Sequence, residues 1–95
     1  MLQKSKSISR KSPKRERTRA RDGKQNVIGA KVRAIRLKLT PKASLEDIAG
    51  RLASQGVLLS RSSINKIELR QRTVNDVEII ALARALRVKV AELFE

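Results

Sequence analysis

The stretch from Val77 to Leu86 most constrains the fold, because Val77, Ile79, Ile80, Ala81, Leu82, Ala83, Ala85 and Leu86 leave it apolar on almost every side. A helix of that kind has no wet face of its own and belongs in the centre of a domain, where other elements must cover it. The sequence before it supplies the cover. Ile28, Val32, Ile35 and Leu39 recur at steps of four, three and four, which places them on one side of a first helix. Lys31, Arg33 and Lys38 fall away from that stripe, and the helix ends near Thr40-Pro41, since a residue before proline avoids the helical region.

Ser44, Leu45, Glu46 and Asp47 read as a capping box opening a second helix, with Leu45, Ile48, Ala49 and Leu52 inward, running to about Ser54. Gln55-Gly56 breaks it, and Val57, Leu58 and Leu59 form a short apolar connector. Ser60 caps a third helix through Leu69, with Ile64 and Ile67 inward. Thr73 or Asn75 opens the central fourth helix, with Asp76 or Glu78 three residues on, and Val90, Leu93 and Phe94 predict a last short helix that closes the core. No strand pattern competes. The reading is all-α, a five-helix orthogonal bundle over residues 27–95.

Residues 1–26 obey different physics. They carry ten Lys and Arg against two acids, with apolar side chains only at Met1, Leu2, Ile8 and Ala20. Such a segment buries too little apolar surface to offset its ordering entropy, so a disordered basic N-terminal arm is expected. Two readings of the arm stand: phosphate neutralisation on a nucleic acid, or a solvated tail.

Charge sets the class of partner. The chain has 23 Lys and Arg against 9 Asp and Glu, a formal +14, of which the arm carries +8 and the remainder +6. This excess points to a polyanion. No apolar run approaches the roughly 20 residues that span a bilayer, and residues 1–26 lack the apolar stretch of a secretory signal, so a cytoplasmic protein without a membrane partner is expected. With no cysteine and no histidine, the usual zinc sites and the Cys/His and Ser/His catalytic pairs cannot be built. The expectation is a protein with no metal, no cofactor and no enzymatic activity. Glu46, Asp47, Asp76 and Glu78 are explained as residues of helix first turns, where negative charge is favoured.

The third helix carries the function. With Ile64 and Ile67 inward, Ser62, Asn65, Lys66 and Leu69 face outward at 100° per residue, and Arg61 lies on the flank near the helix start. Arg can donate two hydrogen bonds to guanine, Asn can pair with adenine through two, and Ser can bond to either base. A preceding helix, a turn and net positive charge complete the pattern of a helix-turn-helix.

The order of residues then becomes recognisable. Ile28-Gly29 with Arg33 and Arg36, Ile48-Ala49, the run from Ser60 to Glu68, the run from Leu82 to Leu86, and Glu92-Leu93-Phe94 together resemble the phage repressor/Cro-like (XRE) helix-turn-helix family over residues 27–95. The resemblance implies a lambda repressor-like bundle that binds operator DNA as a dimer, with helix three in the major groove. By position it implies base reading by Arg61, Ser62, Asn65 and Lys66, and phosphate contacts from Ser44, Leu45, Ser60, Arg70 and Arg72. It also implies a structural ion pair between Arg36 and Glu68, which fits the turn of Glu68 toward the core flank. Three departures stand out: a longer connection between helices two and three, and Arg70 and Arg87 where glycines are common. The leading function is a sequence-specific double-stranded DNA binder, a transcriptional repressor, homodimeric at least on DNA. Two alternatives are an antitoxin with a toxin partner, and an RNA-associated basic structural protein. The only candidate dimer surface is an exposed part of the last helix, around Val90 to Phe94.

Overall fold

The computed structural model describes residues 19–95, so residues 1–18 of the expected 1–26 arm lie outside the described residues, while residues 19–26 are ordered, with the Gln25 N–H donating to the Arg70 carbonyl at 3.1 Å. Four α-helices follow in order: α1 Gly29–Lys38, α2 Leu45–Ala53, α3 Arg61–Glu68 and α4 Asp76–Leu86. The expected fifth helix is instead a 3-10 helix, Val90–Phe94, opened by a bond from the Glu92 N–H to the Lys89 carbonyl at 3.0 Å. Its i-to-i+3 bonding suits the three-residue spacing of Val90 and Leu93. There is no strand among the described residues.

Local chemistry explains where the helices begin. The Ser44 hydroxyl accepts from the Asp47 N–H at 3.0 Å, while the Asp47 carboxylate accepts from the Ser44 N–H at 2.9 Å. Asn75 and Glu78 repeat the exchange at α4, at 2.8 and 3.1 Å, which settles the start of that helix in favour of Asn75. Both pairs satisfy amides that a helix start otherwise leaves bare. Helices α2, α3 and α4 end alike, whereas α1 runs into extended backbone at Leu39. Gly56, Arg70 and Arg87 have φ of 82°, 61° and 61°, and the next residue's N–H reaches back to Leu52, Lys66 and Ala83 respectively. This is the Schellman closure. Two of its three left-handed positions are filled by arginine, although a Cβ makes that conformation unfavourable.

The core is wholly aliphatic and draws on every helix: Ile28, Val32, Ala43, Ile48, Leu52, Ile64, Ile67, Leu82, Leu86 and Leu93 are buried, with Ala81, Ala83 and Ala85 between them. Two expectations change here. Helix α4 packs on α1, α2 and the 3-10 helix, yet its Val77 and Ile80 remain about half exposed, so one flank stays uncovered. Of Val90, Leu93 and Phe94 only Leu93 is buried in the core, with Val88 packed against that core, while Phe94, the one aromatic, is 54% exposed. Spacing explains the second change: neighbours in a 3-10 helix lie about 120° apart, so with Leu93 aimed straight into the core Phe94 is turned well away from it.

Helix α3 rests on α1 and α2 and makes no comparable contact with α4. Its inner side is anchored by Ile64 and Ile67, and its other side faces water.

Candidate nucleic-acid interface

Ser60 starts the site. Its hydroxyl accepts from the Ser63 N–H at 3.1 Å and fixes the first turn of α3. Arg61, Ser62, Asn65 and Lys66 are all exposed, on the side away from Ile64 and Ile67. Among the described residues the one neighbouring acid is Glu46 of α2, 3.8 Å from the Arg61 guanidinium, with both side chains mostly in water. An exposed pair at that distance contributes about 0–1 kcal/mol, so Arg61 is readily released to another anion.

The acid within α3 itself is removed from this face. Glu68 is buried and takes two bonds from Arg36, Nε to Oε2 at 2.6 Å and Nη2 to Oε1 at 2.9 Å. The remaining Arg36 nitrogen, Nη1, donates to the Ala43 carbonyl at 3.0 Å. The bond to Glu68 outweighs burial and pushes the Arg36 pKa still further up, so the guanidinium stays charged. Helix α1 is thereby tied to α3 and to the lead-in of α2 through one side chain.

Close approach of α1 and α3 depends on Gly29. A Cβ at that position would lie 2.0 Å from the Ile67 carbonyl oxygen and 3.0 Å from that of Glu68. Asn26 secures the same junction. Its side-chain Oδ1 accepts from the Ile28 and Gly29 N–H groups at 3.1 and 2.8 Å, and its side-chain Nδ2 donates to the Ile67 and Arg72 carbonyls at 3.1 and 2.8 Å. The folded unit therefore extends N-terminal of Val27. The sequence reading assigned Asn26 to the arm, although an Asn two or three residues ahead of a helix is the pattern of a side chain that caps local amides.

The five expected phosphate contacts fall into two groups. Ser44, Leu45 and Ser60 lie at the starts of α2 and α3, but Ser44 and Leu45 share their turn with Asp47, whose carboxylate brings negative charge there. The bond from the Ser44 N–H holds the Asp47 carboxyl below the usual aspartate range. Arg70 and Arg72 turn back onto the protein. Arg70 donates from Nε to the Asn26 carbonyl at 2.7 Å and pairs through Nη1 with Asp22 at 2.8 Å. Arg72 pairs with Glu78 at 3.3 Å, and its Nη1 is buried with no partner among the described residues. Both arginines brace the loop behind α3. Their partners lie up to 48 residues away in sequence, which no local pattern signals.

Arg51 and Gln55 do similar work on the other side. They donate to the Ala85 and Ala81 carbonyls at 2.9 and 3.0 Å and fasten α2 to α4. No family model, curated protein or solved structure matches this chain closely enough to indicate kinship. Among the described residues, no helix is long and apolar enough to cross a membrane.

Proposed function

We propose that the protein is a sequence-specific double-stranded DNA-binding protein, a transcriptional repressor of the lambda repressor-like helix-turn-helix type, with α3 as its recognition helix. One observation carries the reading. Helix α3 presents Arg61, Ser62, Asn65 and Lys66 to solvent, while its only acid is withdrawn into a pair with Arg36. The result is a cationic, hydrogen-bonding ridge on a rigid support, of a size that fits a major groove. Arg61, Ser62, Asn65 and Lys66 are assigned to base edges. Ser60, Ser44 and Leu45 are assigned to phosphates, while Arg70 and Arg72 stiffen the loop rather than leading the contact.

A homodimer on DNA follows from the need for two recognition helices on paired half-sites. Val90 and Phe94, partly exposed and outside α3, are the side chains assigned to that contact.

The test is a titration against an operator-bearing duplex, recovered by selection from a random library, and against a scrambled duplex, at two salt concentrations. A preference of roughly 10³-fold or more supports the reading, with Arg61→Ala eroding it. Equal affinity for both duplexes, falling steeply with salt, reduces the protein to a generic polyanion binder.

A further inference from the structure

The outward face of α3 is not purely polar. Leu69, the C-cap residue, keeps helical backbone angles, φ −83° and ψ 0°, and donates its N–H to the Asn65 carbonyl at 2.9 Å. It therefore continues the helical course and lies one turn beyond Asn65. Seven residues separate it from Ser62, which at 100° each brings it within about 20° of the same line, about 10 Å further along the axis. The inward positions beside it are filled by Ile67 and Glu68, and Leu69 itself is 50% exposed. A large aliphatic side chain thus ends a line otherwise made of Ser62, Asn65 and Lys66.

Leucine cannot hydrogen-bond to a base and gains nothing from phosphate. One group on the floor of the major groove matches it: the C5-methyl of thymine, the only methyl that the four bases present there. We propose that Leu69 is a specificity-determining residue that selects thymine by contact with this methyl group. The assignment rests on the reading of α3 as the recognition helix and adds a chemical preference to it. Arg61, Asn65 and Lys66 on the same ridge supply hydrogen bonds and charge. Leu69 supplies the apolar contact that these residues cannot make.

The experiment uses the full chain and the duplex selected from a random library, with each thymine replaced in turn by uracil, which differs only in lacking the methyl. Wild-type protein is expected to lose about fourfold in affinity at one thymine per half-site, the equivalent of the ~0.8 kcal/mol of one buried methylene. Leu69→Ala is expected to bind the thymine and uracil duplexes equally, and Leu69→Met, still apolar, to keep most of the discrimination. Circular dichroism of each variant establishes that it is folded.

Specific binding by the wild type with no uracil effect at any position overturns the proposal and leaves the DNA reading standing. Discrimination that survives in folded Leu69→Ala also overturns it, because another residue then makes the contact. If no duplex is preferred in the selection, the DNA reading itself fails and the proposal falls with it.

Discussion

Replacing Glu68 by alanine tests the architecture at its most concentrated point. The carboxylate is buried and accepts both bonds of the Arg36 fork, at 2.6 and 2.9 Å. Its loss leaves a charged guanidinium, also largely buried, with only the Ala43 carbonyl at 3.0 Å as a partner. Removing one member of a buried pair costs about 3–5 kcal/mol, because the survivor stays desolvated and uncompensated. A domain of this size has only on the order of 4–12 kcal/mol in hand, at about 0.05–0.15 kcal/mol per residue. At about 4–8 °C per kcal/mol, the midpoint should fall by roughly 12–40 °C, enough to unfold much of the population at 37 °C.

The assay is thermal and urea unfolding of Glu68→Ala, Glu68→Leu, Arg36→Met and the double variant Arg36→Met/Glu68→Leu, the last three closing a double-mutant cycle. The double variant should recover most of the loss, since apolar residues of similar volume often replace a buried pair at little cost. Its residual deficit of about 1 kcal/mol belongs to the Ala43 carbonyl, which loses its donor. High salt should weaken the wild-type pair only slightly, because buried charges are poorly screened. An unchanged midpoint for Glu68→Ala refutes the reasoning. Additive losses in the double variant refute the coupling between the two residues.

Other perturbations follow from the same geometry. Gly29→Ala forces a Cβ against the Ile67 carbonyl and should destabilise by about 3 kcal/mol, the upper end of overpacking costs, with a matching drop in the urea midpoint. Arg87→Gly relieves the left-handed cap of α4 and should stabilise by about 1 kcal/mol, raising the melting midpoint by roughly 4–8 °C. Asp47 is held below its ordinary value of 3.8 by the Ser44 N–H, and Asp22 is likewise lowered, first by the Lys24 N–H. Their contribution is full above that ordinary value and is lost as pH falls through the lower folded values. The melting midpoint should therefore drop below about pH 4, and Asp47→Asn should flatten that dependence when the midpoint is followed from pH 5 to pH 2.

The sequence by itself determined the helical elements, because their signals are short-range. The i, i+3 and i, i+4 recurrence of Ile28, Val32, Ile64 and Ile67 marks the inward faces, and Ser44 with Asp47 marks one helix start, while the start of α4 was narrowed only to Thr73 or Asn75. The first two signals are settled within one turn or two of backbone, so the sequence contains the information they need. The polar outward line of α3 was legible for the same reason. The Arg36–Glu68 contact was reached through resemblance and through the misfit of an acid on a cationic face, since its 32-residue separation leaves no periodic trace.

Only the tertiary structure decided how the remaining side chains are used. Asn26 joins the start of α1 to the loop behind α3, Arg70 turns toward Asp22, and Gly29 admits the Ile67 carbonyl. Phe94 stays outside while Leu93 fills the core, and Val77 and Ile80 lie on an uncovered flank of a helix that looked central. The polar outcomes depend on which distant groups the packing of the helices brings within about 3 Å, and the apolar ones on which faces of α4 and the 3-10 helix that packing covers. Hydrogen-bond demand tells the chain that an Asn or an Arg must find a partner, but only the packed helices determine which one it finds.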